Sequence, residues 1–327
     1  FSACAISHAP DGDQFLDHLP SYRALLTDDW WAQMLDMLAQ AWPMKYVQLM
    51  EKKIDKFEDD MGGSYLHLAA RVGHLPIFRL VKNFSTANEK HLWKSNANGQ
   101  TPLHVAAQYG HHAVCQTILD KKGVVDVEDS KERLPLHLAL QHGHFQLAKF
   151  LLDRFEEVQQ SSSRLPKKEN LSEKLACRIR GTSDDPLDEL DFKAEVLETF
   201  PEMSYFRKAE ENEQVRQMAA LLSVYWVSSN QYENFAREQK TEEKLKPDSW
   251  DGMLKWVEKE VDLSPRRVAA VLVYCAIVGI GKIAPFQKHF AADATEPIGA
   301  LASIVKHHPA LVPSFQRLDE EEQYLIV

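Results

Sequence analysis

Three histidines recur in one phrase along this chain, and histidine is the side chain most used for proton transfer and metal ligation. His67 stands in Ser64-Tyr65-Leu66-His67-Leu68-Ala69-Ala70, and His104 in Thr101-Pro102-Leu103-His104-Val105-Ala106-Ala107. His137 stands in Leu134-Pro135-Leu136-His137-Leu138-Ala139-Leu140. Each phrase is followed by a Gly-His pair: Gly73-His74, Gly110-His111 and Gly143-His144. The His-to-His spacings are 37 and 33 residues. On stacked units the rings would lie roughly 10 Å apart, by analogy with other stacked layers, against about 2 Å for a metal–nitrogen bond. That separation rules out one metal ion shared by the three rings. No metal and no cofactor is expected.

Cysteine is the other candidate for chemistry. Catalysis by a thiolate needs a neighbouring histidine base and usually an Asn or Asp to orient it. Cys4 lies near His8, and Cys275 precedes His289 and Asp293, neither in a known nucleophile motif. Cys275 sits in an apolar helical run, where cysteine reads as a small buried hydrophobe. Cys4 is the remaining catalytic candidate, because the chain begins at Phe1 and further sequence is expected upstream. Cys4, Cys115, Cys177 and Cys275 show no paired spacing and read as reduced thiols of a cytosol-like compartment. Gly279-Ile280-Gly281-Lys282 echoes a phosphate loop, but Ala276 and Ile283 occupy positions where that motif needs Gly and Ser or Thr. A glycine stop at a helix C-terminus is expected there instead. The acidic runs Glu210, Glu211, Glu213 and Glu242, Glu243 read as solvated helix faces. Trp30, Trp31 and Trp42 read as core.

The elements that carry the recurring phrase can be read from it. Ser or Thr caps a short helix, and Pro fits its first turn. Leu and paired Ala allow close packing, and Gly-His ends the helix and turns the chain. A second helix follows, with Val114, Ile118 and Leu119 in one copy and Leu147, Phe150 and Leu151 in the next, at helical spacing. Such a unit cannot bury its apolar face alone, so copies must stack.

A period near 33 with Thr-Pro-Leu-His-x-Ala resembles the ankyrin repeat. The resemblance implies a solenoid over residues 62–155. Residues 1–61 hold an N-terminal segment and a degenerate capping repeat: Asp28-Asp29 starts a helix over Trp30–Ala39, and Met44–Lys53 forms its partner. Leu35 falls on the His104 position and Leu49 on Ile118. Residues 156–186 form a polar linker, with a helix expected over Glu169–Arg180. Residues 187–327 form an all-helical domain of no recognised family. Its stripes are Leu187, Leu190, Ala194, Leu197 and Phe200, and then Val215, Met218, Ala219, Leu222, Tyr225 and Trp226. Further helices start at Asp248-Ser249, Ser264-Pro265 and Glu296-Pro297. The fold class is all-α: an ankyrin solenoid with a helical cap, followed by an all-helical C-terminal domain.

In the ankyrin family the partner lies on the concave face, built from hairpin tips and from the ends of the first helices. The resemblance assigns Asn96, Asn98, Gln100, Ser130, Lys131 and Glu132 to the tips. It assigns Arg71, Val72, Gln108, Tyr109, Gln141 and His142 to the helix ends. A protein partner follows. The net charge of −10 argues against nucleic acid. The longest apolar run, Val268–Ile280, has 13 residues and is too short to span a bilayer.

The C-terminus reads Leu318-Asp319-Glu320-Glu321-Glu322-Gln323-Tyr324-Leu325-Ile326-Val327. Glu320, Glu321 and Glu322 with Leu325 third from the end resemble the translocation signal of Dot/Icm type IV secreted effectors. That resemblance implies a bacterial effector that binds a host protein, cytosolic and delivered into the host cytoplasm or nucleus. Two other classes are open: a cysteine-dependent hydrolase or transferase whose repeats recruit substrate, and a eukaryotic ankyrin adaptor.

Overall fold

The structure is a computed structural model. It describes residues 20–41, 43, 46, 49, 50, 62–80, 92–120, 124–161, 169–181, 187–207, 211–237, 239, 244–261 and 263–326. Among the described residues there are helices and turns and no strand. The chain divides into two compact units, Phe1–Glu157 and Val158–Val327.

The first unit holds α1 (Tyr22–Thr27), α2 (Asp29–Ala41), α3 (Tyr65–Val72), α4 (Leu75–Leu80), α5 (Pro102–Tyr109), α6 (His112–Asp120), α7 (Pro135–Gln141) and the start of α8 (Phe145–Ser161). Asp28 starts α2 as its sequence suggests, with Oδ1 accepting from the Trp30 and Trp31 N–H groups at 3.0 and 3.2 Å. Leu35 and Leu49, aligned with His104 and Ile118, are both fully buried. Of the expected Met44–Lys53 helix only Tyr46, Leu49 and Met50 have described side chains, all buried. Cys4, His8, Trp42 and the rest of residues 1–19 lie outside the described residues. Trp30 departs from the expected core role. It is 54% exposed and meets Trp31 edge-on, with centroids 4.7 Å apart.

The stack forms because α5 packs between α3 and α7 while α6 backs onto α4 and α5. Val114, Cys115 and Ile118 of α6 and Leu147, Leu151 and Leu152 of α8 supply the buried face. The repeated phrase sets the joints. Its histidine Nδ1 accepts from the backbone N–H three residues earlier: Ser64 to His67 at 2.9 Å, Thr101 to His104 at 3.2 Å and Leu134 to His137 at 3.0 Å. The proton is then on Nε2, which reaches the next hairpin. His67 donates to the Gln100 carbonyl at 2.8 Å and His104 to the Arg133 carbonyl at 3.1 Å. The histidine of the second and third Gly-His pairs packs on the glycine of the preceding repeat, His111 on Gly73 and His144 on Gly110. A Cβ on Gly73 or Gly110 would strike the His111 or His144 ring, and both glycines hold left-handed φ of 75° and 78°.

The second unit holds α9 (Leu171–Ile179), α10 (Glu189–Thr199), α11 (Glu211–Ser228), α12 (Tyr232–Arg237), α13 (Pro247–Glu260) and α14 (Pro265–Ile277). It continues through α15 (Ala284–Phe290), α16 (Pro297–His307), α17 (Pro313–Gln316) and α18 (Glu320–Tyr324). α14 is central, with α9 and α11 packed on it. The segment read as a polar linker contains α9, whose Leu175, Ala176 and Ile179 are buried core.

Three expectations need correction in this unit. Leu190 and Leu197 are 76% and 50% exposed, and α10 buries Phe192 and Val196 instead. The Phe192 ring stacks on Tyr225 at 4.6 Å, and that aromatic contact outweighs two leucines in setting the helix rotation. On α11, Val215 is 69% exposed while Glu213 and Gln217 are buried. Glu213 is therefore no solvated residue: its carboxylate takes Lys282 Nζ at 3.1 Å. Finally, Gly279 is right-handed, with φ of −74°, so it is no left-handed helix stop. The chain runs on into a short 3-10 turn at Ile280–Lys282. The glycines serve close approach: a Cβ on Gly281 would collide with the Pro297 carbonyl oxygen, and one on Gly279 with the Gln217 side chain.

Candidate functional site

The candidate site is the surface formed by the hairpin tips and by the ends of α3, α5 and α7. Each tip is an Asx-type turn. Asn96 Oδ1 accepts from the Asn98 and Gln100 N–H groups at 2.9 and 3.0 Å. Asp129 Oδ1 accepts from the Lys131 and Arg133 N–H groups at 2.9 and 3.0 Å. A short acceptor side chain that bonds its own backbone two residues on is what such a turn selects. Gly99 occupies the left-handed position of the first tip with φ of 72°, and Glu132 takes the same place in the second with φ of 56°. The tips touch: Ser130 N–H and Oγ–H both donate to the Asn98 carbonyl, at 3.0 and 2.5 Å.

The helix ends are tied together as well. His111 Nε2–H donates to the Arg71 carbonyl at 2.9 Å. The Tyr109 ring lies parallel to His111 with centroids 6.5 Å apart, so it stands beside the end of α3. Arg133 joins tip to helix end. Its Nη2 pairs with Asp129 Oδ2 at 2.7 Å and its Nη1 donates to Gln141 Oε1 at 3.2 Å. Burial alone would raise the Asp129 carboxyl, but the hydrogen bonds and charge of Arg133 hold it below its ordinary value.

The twelve residues assigned from the repeat register separate into two sets. Arg71, Val72, Asn98, Tyr109, Ser130, Lys131 and Glu132 are exposed, and Gln108 is half-buried. Gln100 is buried at 8% exposure, with its carbonyl engaged by His67, so its assignment to the contact surface is corrected. Asn96, Gln141 and His142 are half-buried and already committed: Asn96 to its turn, Gln141 to Arg133, and His142 through Nδ1 to the Leu138 carbonyl at 2.9 Å. Arg133 was missed. Its alignment with Gln100 in the next repeat was the available signal.

Chemistry by Cys115 and Cys275 is disfavoured on physical grounds. Burial pushes the Cys115 thiol up to about 12 and the Cys275 thiol up to about 11, so neither holds a thiolate near neutrality. Among the described residues no group of three or more His, Cys, Asp or Glu is placed to hold a metal. Among them, too, no single helix is long and apolar enough to cross a membrane.

The C-terminal acidic cluster is folded, not a free tail. Asp319 caps α18: its Oδ1 accepts from Glu322 N–H at 2.9 Å, and Glu322 Oε2 accepts from Asp319 N–H at 2.9 Å. Arg266 of α14 pairs with Asp319, and its Nε stands 3.9 Å from Glu322. Glu322 is buried, Glu320 and Glu321 are exposed, and Leu325 is 51% exposed.

Comparison with known proteins agrees with this geometry. Residues 66–162 match the family described as ankyrin repeats in three copies. Residues 195–327 match a family of unknown function (DUF6829). A stretch of 62 residues is 36% identical to the ankyrin repeat-containing protein ITN1 of Arabidopsis thaliana. That stretch is 19% of this chain and 10% of the plant protein, so the chain spans a small part of that relative's length. The stacked helix pairs, the histidine joints and the family match converge: residues 66–162 are three ankyrin repeats.

Proposed function

We propose that the chain binds another protein through the exposed residues of the repeat surface, with Tyr109 as anchor. The observation that carries this reading is the position of Tyr109. It is 47% exposed on the middle repeat, held parallel to His111, with Arg71 and Val72 on one side and the Lys131-bearing tip in the next repeat. An amphipathic ring held in place loses little entropy on binding, which is why tyrosine is enriched among binding hot spots. The test is capture from cell lysate with the native chain and with Tyr109→Ala. A hot spot weakens binding by about 30-fold, from about 2 kcal/mol. If every captured protein is retained equally by Tyr109→Ala and by Arg71→Ala with Lys131→Ala, while folding is unchanged, the surface is wrong.

A second reading is that the chain is a secreted bacterial effector, cytosolic before export and acting on a host protein. It is supported by the exposure of Glu320, Glu321 and Leu325, while Glu322 of the same cluster is buried in the α18 cap. Deleting residues 318–327 and measuring translocation tests it. Undiminished transfer would refute it.

A further inference from the structure

The first hairpin tip carries Asn98-Gly99, the only Asn-Gly pair in the chain. An asparagine side chain can be attacked by the backbone nitrogen of the next residue. Glycine is the follower that resists this least, because no Cβ shields its nitrogen or restricts its backbone. The fold itself demands glycine here. Gly99 has φ of 72°, and a Cβ on it would stand 2.5 Å from the Ser130 nitrogen. Asn98 is exposed, so water and hydroxide reach it. The second tip has Lys131-Glu132 in the same two places and cannot react in this way.

The peptide group between Asn98 and Gly99 is pinned on both sides. Its oxygen accepts from Ser130 N–H and Oγ–H at 3.0 and 2.5 Å, and its N–H donates to the Asn96 carbonyl at 2.9 Å. Attack requires the Gly99 N–H to leave Asn96 and release its proton. The peptide group is a rigid plane, so a turn that frees the N–H also swings the oxygen away from Ser130. The reaction therefore proceeds from an opened tip, and the next repeat, through Ser130, sets how often that tip opens.

We propose that Asn98 is a self-modifying site: in the opened tip it cyclises onto Gly99, and the resulting isoaspartate unfastens the first tip from the second. The Gly99 nitrogen gives its proton to hydroxide and attacks Asn98 Cγ. The N–Cγ bond forms, and ammonia leaves with a proton taken from water, giving a five-membered imide. Water then opens the ring. Opening at Cγ gives aspartate on an unchanged backbone. Opening at the main-chain carbonyl gives isoaspartate, in which the chain runs through Cγ and is one carbon longer. The oxygen that Ser130 held then belongs to a free carboxylate outside the chain, and the tip has no room for the extra carbon beside the Ser130 nitrogen. The closed stack thus carries its own limit on lifetime. This site does not depend on the reading of the repeat surface as a binding face.

The test follows the full chain at pH 7.4 and 37 °C over weeks. Digestion at mildly acid pH and mass spectrometry resolve amide, aspartate and isoaspartate at position 98. Asn98 is expected to convert while Asn170, Asn230 and Asn234 stay intact. Ser130→Ala, which lacks one of the three bonds, is expected to convert about fivefold faster, the worth of one hydrogen bond. The chain in urea is expected to convert faster still. In the isoaspartate fraction, separated by ion exchange, the Ser130 amide is expected to lose its hydrogen-exchange protection. Asn98→Asp, which adds the charge and keeps the backbone, is expected to retain it. The proposal is overturned if Asn98 stays intact in the folded chain or converts no faster than the other asparagines. Equal rates in the native chain and Ser130→Ala would overturn it too, as would a protected Ser130 amide in the isoaspartate form.

Discussion

Acidification should loosen the repeat stack through His104. The ring is fully buried, and burial lowers its pKa from 6.5 to about 4. Its Nδ1 accepts from Thr101 and its Nε2–H donates to Arg133, so only the neutral ring satisfies both bonds. A histidine whose folded pKa lies below its unfolded value stabilises above the unfolded pKa, and that stability is lost as pH falls. The loss begins near 6.5 and is complete below about 4, where it reaches about 3 kcal/mol for the whole displacement. At pH 5 the linkage relation gives about 2 kcal/mol, a sizeable share of the 5–15 kcal/mol that holds a domain. The comparison is native chain against His104→Gln. Glutamine at this position can still accept from the Thr101 N–H and keep the helix start, but it has no proton to gain in this range. It abandons the Arg133 carbonyl, a constant cost of about 1–3 kcal/mol at either pH. Hydrogen exchange of the Pro102–Tyr109 amides at pH 7 and pH 5 reads the local opening energy in the full chain. Because His74, also held near 4 by burial, is present in both proteins, its contribution cancels. The native stack is expected to lose about 2 kcal/mol more than the variant between the two pH values. Direct titration of the His104 ring by nitrogen NMR should show Nε2–H down to about pH 4. A midpoint near 6.5, or the same pH response in both proteins, would refute the argument.

Other perturbations have defined outcomes. Gly99→Ala places a Cβ against the Ser130 backbone nitrogen at a φ of 72°, so chemical denaturation should show a loss of more than about 2 kcal/mol. Glu132→Gly relieves the same left-handed position in the next tip and should stabilise by about 0.5–1 kcal/mol in the same assay, the strain removed less the entropy added. On α10, Phe192→Ala should cost about 3–5 kcal/mol. Leu190→Ser, at an exposed site, should stay within about 0.5 kcal/mol. The reverse ranking would mean that α10 is rotated. Cys115 and Cys275 should resist iodoacetamide at pH 7.5 in the folded chain and react on denaturation, followed by mass spectrometry.

The repeats were legible because their joints are written in consecutive residues. A hydroxyl or backbone N–H, a histidine three positions on, and a Gly-His turn are local signals, and each one forms its expected bond. The exposed surface was legible only as a register. Position within a repeat says which residue stands at a tip or helix end, but not whether its polar atoms are already spent. Asn96 is spent inside its own hairpin, the Gln100 carbonyl on His67 of the preceding repeat, and Gln141 on Arg133 eight positions earlier. In the second unit no repeat supplies a register. Leu190 and Leu197 form as good a helical stripe as Phe192 and Val196. The choice between them is made by the Tyr225 ring, 33 residues away from Phe192. Glu213 looked solvated because its partner Lys282 is 69 residues downstream. Gly279 looked like a stop because the Gln217 side chain that it must admit lies in another helix.

The histidine joint is indifferent to the length of chain that it bridges. From each tip acceptor to its phrase histidine, Asn96 to His104 and Asp129 to His137, the count is eight positions. From phrase histidine to glycine it is six in all three copies. The four extra residues of the first spacing fall between Gly73 and Asn96, which are 23 apart where Gly110 and Asp129 are 19 apart. Yet His67 and His104 bond the same carbonyl position of the following tip. Mating parts and connecting cable are therefore specified separately. A whole repeat can be duplicated, removed or exchanged, and a connector lengthened, without redesigning the fastening on either side. The tip residues ride on that fastening, and their chemistry can be changed one repeat at a time.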